Sequence, residues 1–152
     1  MKIIEYAEII VVLETWDAAR YLSKDFDSEF GMVTLERFFE LRPRAKKVFG
    51  YDKGEEVGRA SANHHASAFP GLFDSILQML GPDVEFIEEI LQQLGRKHKA
   101  MGVSTSFFPF MGQALIHTLE KFLGKELTEV QRTAWENVYE AISEEIVKSI
   151  LA

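Results

Sequence analysis

Hydrophobic residues along this chain recur at intervals of three and four in nearly every segment, and no stretch alternates as a half-buried strand would. The pattern predicts an all-α protein of seven or eight helices with short connections. A first helix is expected from about Ile4 to Leu22, with Tyr6, Ile9, Leu13 and Trp16 on one face. "SKDFDSEFG" interrupts it, and Asp27 or Ser28 is placed to cap a second helix that runs to Leu41. "RPRAKKVF" starts afresh with Pro43 in a first turn, where a missing N–H costs nothing. "GYDKGEEVG" reads as a loop.

"ASANHHASAFPGLFDSILQML" carries the next helix as far as Gly81-Pro82, and Pro70 inside it is expected to kink it, at a cost of about 3 kcal/mol. Asp83 is placed to cap a helix through Phe86, Ile90 and Leu94 to His98, ended by Gly102. Ser106 is placed to cap "FFPFMGQALIHTLEKFL", with Pro109 in its first turn and Gly124 past its end. Thr128 and Gln131 have the spacing of a capping box before a last helix that reaches Leu151.

The chain has no internal repeat, low-complexity tract or linker, so its 152 residues are expected to form one domain, 1–152. A chain of this length buries roughly 68–70% of its unfolded surface, enough for one core. A net charge of −7 argues against broad binding to nucleic acid or to an anionic membrane. The basic run Arg42, Arg44, Lys46 and Lys47 is too short to reverse that. With no Cys, disulfides, zinc–thiolate sites and thiol nucleophiles are excluded, and a reducing, cytoplasmic setting is expected. Glu5 and Glu8 interrupt the apolar N-terminus, which reads as a helix rather than a signal peptide. No run reaches the ~18 apolar residues that span a bilayer.

There is no Gly-rich phosphate loop, no H-E-x-x-H and no serine nucleophile elbow. The carboxylates of "EFIEEI" and "SEEI" are expected on solvated helix faces. Four histidines remain. His117 is read as filler of the core or of an interface. His65 and His98 lie 33 positions apart on consecutive helices joined by the Gly81-Pro82 turn, so each helix can offer one imidazole to the space between. Two imidazoles across an apolar slot suit a borderline transition metal. They make a poor bare zinc site. They would serve a metal that brings its other ligands with it, as a porphyrin iron does. Twelve Phe would suit such a flat apolar ring.

In these segments the chain resembles the globin family, and closely. Trp16 sits in the first helix where globins place a Trp. "TLERFFELRPRAKKVF" is similar to their second and third helices, with Pro43 and Phe49 six apart. "LGRKHKAMGV" resembles their proximal segment, in wording nearest to neuroglobin-like and bacterial single-domain globins. "FFPFMG" and "AWENVYEAI" fit the last two helices. The resemblance implies the globin fold, a three-over-three helical sandwich with a short or absent fourth helix, around haem b. It implies His98 as the proximal iron ligand and Phe49 as the aromatic packed on the haem. Leu35 would roof the distal pocket. Leu94, Val103, Phe108, Met111 and Tyr139 fall at proximal and haem-floor positions, and Lys97 and Tyr51 match groups that reach the propionates. The His98 N–H should find a fixed acceptor, and the Leu94 carbonyl, one turn earlier, is available.

His64 and His65 compete for the distal position. Globins cross their second and fifth helices closely, which needs small residues at both crossing points. Gly31 is one, and the His65 register makes Ala66 the other; the His64 register would put an imidazole against Gly31. His65 is therefore preferred, with Phe69 one turn on and Phe73 one beyond. It would either donate a hydrogen bond to dioxygen or take the sixth iron position itself. The function implied is reversible binding of dioxygen, nitric oxide and carbon monoxide. The alternative is a haem enzyme (nitric oxide dioxygenase, nitrite reductase or pseudo-peroxidase) supplied by an external electron donor, since the chain is too short to hold a reductase domain. A haem-free helical bundle is the third reading.

Overall fold

In the computed structural model of the chain, residues 1–49, 68–81 and 84–152 are described. The helical period is realised in six α-helices among these residues: α1 (Tyr6–Tyr21), α2 (Phe26–Leu41), α3 (68–79), α4 (Val84–Ala100), α5 (Phe108–Leu123) and α6 (Glu129–Leu151). Two 3₁₀ turns, Pro43–Lys47 and Thr105–Phe107, complete the helical structure.

The end signals act as their chemistry predicts in most places. Pro43 opens its 3₁₀ turn. Gly124 takes φ +72° after α5, its N–H donating to the Glu120 carbonyl at 2.9 Å. The Thr128 hydroxyl accepts from the Gln131 N–H at 3.1 Å while the Gln131 side chain accepts from the Thr128 N–H at 2.9 Å, a complete capping box. At α4 the Val103 N–H donates back to the His98 carbonyl at 3.1 Å across Gly102, whose φ of +77° only glycine adopts freely.

Two boundaries differ from the expectation. Helix α2 begins at Phe26, ahead of both anticipated caps, because Phe26 itself is buried against Trp16 and Phe30. Asp27 then lies in the first turn, where its charge favours the free amides. Ser106 does not cap α5; Ser104 caps the 3₁₀ turn before it by accepting from the Ser106 N–H. Residues 68–79 are helical through Pro70 and Gly71, with Pro70 buried; the turn before Pro70, against which the expected kink would fall, lies outside the described residues. The anticipated loop at 50–58, the Asp83 cap and any fourth helix between residues 50 and 67 fall outside the described residues.

Helix α4 packs on α6, α2 on α5, and α1 on both α5 and α6. Phe73 of α3 meets Trp16 of α1 and Trp135 of α6 at 5.4 and 6.2 Å. Helices α1, α3 and α4 thus lie over α2, α5 and α6. On α1 the buried stripe is Ile9, Val12, Trp16 and Ala19; Tyr6, expected on it, is exposed. Trp16 sits at the centre of the main core, its Nε1–H donating to Asp74 at 2.9 Å, an oxygen that Arg20 also holds. The Trp135 Nε1–H is buried with no partner among the described residues. A second, smaller cluster of Leu35, Phe38, Phe39, Ala45 and Ala114 sits between α2 and α5. No helix among the described residues is long and apolar enough to cross a membrane.

Candidate functional site

Between α2, α3, α4, α5 and α6 lies a cavity of about 350 Å³ with almost wholly apolar walls. Ten of the residues singled out in the sequence line it: Leu35, Phe49, Phe69, Leu94, Lys97, His98, Val103, Phe108, Met111 and Tyr139. They come from five helices and two of the connections between them, and meet only in the fold. Tyr51 and His65 lie outside the described residues, as do His64 and Ala66. His117 is exposed on α5, so it is not core filler.

His98 is the one titratable group in this wall that is set up as a ligand. It stands two residues from the end of α4, and its Nδ1 lies 2.7 Å from the Leu94 carbonyl. A carbonyl can only accept, so Nδ1 carries the proton and donates. In the neutral ring that places the lone pair on Nε2, the state a metal ligand requires. The ring of Phe108 meets the His98 ring at 5.7 Å and 58°. Tyr139 reaches from α6 to the first turn of α5, its hydroxyl donating to the Phe108 carbonyl at 2.7 Å, and burial pushes its phenol above the usual tyrosine range.

The axial position of α4 is set by a close crossing with α6. A Cβ on Gly95 would run into the Ser149 side chain and the Ile146 carbonyl, so only glycine fits there. The Ser149 hydroxyl donates to the Gln92 carbonyl at 2.7 Å, and the Gln92 amide donates to Glu145 at 3.1 Å. Glu145 belongs to "SEEI", expected on a solvated face; it is instead buried, 4% exposed, with Lys148 and the Met1 ammonium 3.3 and 3.6 Å away. Periodicity places it within reach of the α4 seam, but it does not reveal that Gln92 waits there as a donor. Periodicity also left Thr34, Phe38 and Ile142 unremarked as cavity walls. The Thr34 hydroxyl pairs with Thr118 at 2.9 Å across the α2–α5 crossing.

The donor set discriminates between kinds of metal. Among the described residues no group of three or more His, Asp or Glu could enclose a bare ion. One free imidazole nitrogen in an apolar slot suits a metal carried in a flat apolar frame that provides most of its ligands. The residues present therefore fit a haem.

Comparison with known proteins agrees. The sequence pattern of the family described as Globin matches residues 33–146. Neuroglobin of Danio rerio is 32% identical over 117 residues, covering 74% of this chain and 73% of that one, and neuroglobin of Dissostichus mawsoni is equally similar over the same span. Among solved structures, a Drosophila melanogaster globin superposes with a TM-score of 0.79 at 23% identity, over 95% of this chain and 94% of that one. A hexacoordinated haem protein from an anhydrobiotic tardigrade superposes with a TM-score of 0.81 at 20% identity, over 98% and 96%. The chain belongs to the globin family. It has the globin fold and is a haem-binding protein, of a family that binds small gaseous ligands such as dioxygen.

Proposed function

We propose that this globin holds haem b through His98 and binds dioxygen, nitric oxide and carbon monoxide reversibly, in the cytoplasm, with His65 facing His98 from the distal side. The observation that carries the reading is the Nδ1 bond to Leu94, which presents His98 Nε2 as a neutral donor in an apolar cavity. When bound, haem supplies the iron that holds a diatomic gas. The chain supplies the rest. Phe49, Phe108, Met111 and Leu94 give the ring apolar contact and keep water away, and Lys97, exposed at the rim, is placed for a propionate.

Distal His65 is supported by Gly31, a cavity wall on α2, which leaves room for Ala66 at a close helix crossing but not for an imidazole. Phe69 and Phe73, four and eight positions on from His65, line the cavity. Hexacoordination, the state of the tardigrade haem protein and of a Drosophila melanogaster haemoglobin, is proposed here with His65 as the competing group. If His65 occupies the site 99% of the time, apparent affinity for an external ligand falls about a hundredfold. Leu35 offers no hydroxyl to a guest, so the pocket favours a reversible binder over an oxygen-activating enzyme.

The optical spectrum of the haem-loaded, ferrous, ligand-free protein tests this. A six-coordinate spectrum is expected, turning five-coordinate in His65→Leu with faster carbon monoxide binding. If His64→Leu does this and His65→Leu does not, the distal assignment is wrong by one residue. Absence of any Soret band after haem addition overturns the whole reading.

A further inference from the structure

We infer that Tyr139 is a positioning residue that sets the plane of the His98 ring, acting through Phe108. The inference rests on His98 being the iron ligand. Among the described residues His98 is held by one hydrogen bond, from Nδ1 to the Leu94 carbonyl. One such bond fixes the direction of the ring but leaves it free to rock about the N···O line. The neighbouring ring that meets it is Phe108, at 5.7 Å. Whatever holds Phe108 therefore decides how His98 is turned.

Phe108 is the first residue of α5; its N–H closes the preceding 3₁₀ turn on the Thr105 carbonyl, and its side chain packs against the main core. The side chain that reaches it from another helix with a hydrogen bond is Tyr139, whose hydroxyl donates to the Phe108 carbonyl at 2.7 Å. In a helix that carbonyl also faces the amide four residues on, at residue 112. Residue 112 is Gly, and a Cβ there would stand 2.7–2.8 Å from two Tyr139 ring carbons. The glycine is what admits the phenol to a carbonyl that the helix already uses. Burial raises the pKa of that phenol, which favours its protonated, donating form. The chain of contact runs Gly112, Tyr139, Phe108, His98.

The orientation of an axial imidazole tunes the iron it binds. Electron paramagnetic resonance of the ferric, haem-loaded full chain reads that orientation through its g values. The parent protein should show one set. Tyr139→Phe, which removes only the hydroxyl, should keep haem at one per chain but add a second set of g values or displace the first. Phe108→Leu should disturb the spectrum in the same way, and the double variant no further than Phe108→Leu alone. Tyr139→Phe spectra identical to the parent overturn the proposal, even with a lowered melting temperature, since that is a structural role alone. A full-sized Tyr139→Phe effect in the Phe108→Leu background also overturns it. Should the chain take up no haem, the ligand reading fails separately, and nitrogen NMR of the His98 ring in the haem-free full chain decides this one. Faster solvent exchange of the Nδ1 proton in Tyr139→Phe supports the inference; an unchanged exchange rate sinks it.

Discussion

Where α4 lies on α6, the contact is made by Gly95 against backbone, by the Ser149 hydroxyl on the Gln92 carbonyl and by the Gln92 amide on Glu145. Where α2 lies on α5, it is made by Leu35, Phe38, Phe39 and Ala114, with one hydroxyl pair, Thr34 and Thr118. Both contacts wall the same cavity. The α4 wall has to hold one nitrogen atom in place, and directional bonds with a steric stop fix both its rotation and its sliding. The α2 wall has to give shape and exclude water, and close-packed aromatics do that without specifying any single atom. Stability and ligand geometry should therefore come apart under mutation.

The largest effect is expected on the shape wall. Phe38→Ala removes a side chain only 3% exposed and should cost about 3–5 kcal/mol in urea unfolding, while the coordination spectrum of the protein that remains folded is unchanged. An altered spectrum would show that the aromatic wall also orients the ligand. Next comes Gly95→Ala, expected to cost about 1–3 kcal/mol through overpacking. Here haem affinity should fall by more than the stability loss explains, because α4 has to shift against α6. Equal retention of haem in Gly95→Ala and Phe38→Ala would erase the distinction between the walls.

The smallest effect is expected at Glu145. Burial raises its carboxyl pKa, but the hydrogen bonds from Gln92 and Lys148 and the nearby positive charges outweigh that, leaving it below the usual carboxylate range. A group whose folded pKa is depressed stabilises the fold above its unfolded pKa and loses that contribution as pH falls through the folded value. Glu145→Gln should cost about 0.5–1.5 kcal/mol at neutral pH, and its stability should decline less steeply on acidification below the ordinary glutamate range. A parallel decline in parent and variant would remove Glu145 from the clamp.

The same division explains what the sequence makes legible. Local signals are read well because the partner lies within one turn. The Thr128–Gln131 box, Gly124, Pro43 and the Leu94 acceptor for His98 all stand as their spacing predicts. The cavity residues could be named because resemblance supplied the register that brings these separate segments together. The α4–α6 clamp was not legible. Gly95 reads as a helix-weakening glycine until Ser149, 54 positions on, is placed against it, and Glu145 reads as solvated until Gln92 faces it. The early start of α2 escaped for the same reason: its cause is Trp16, on another helix.

The claim on which the rest depends is that the His98 imidazole carries the haem iron. It is tested most directly by haem titration of His98→Gly with and without free imidazole, followed by the Soret absorbance. The account predicts that the variant loses stable haem binding and that added imidazole, entering the vacated space beneath Leu94 and Phe108, restores the parent spectrum. Parent-like haem retention by His98→Gly with no imidazole present would contradict it.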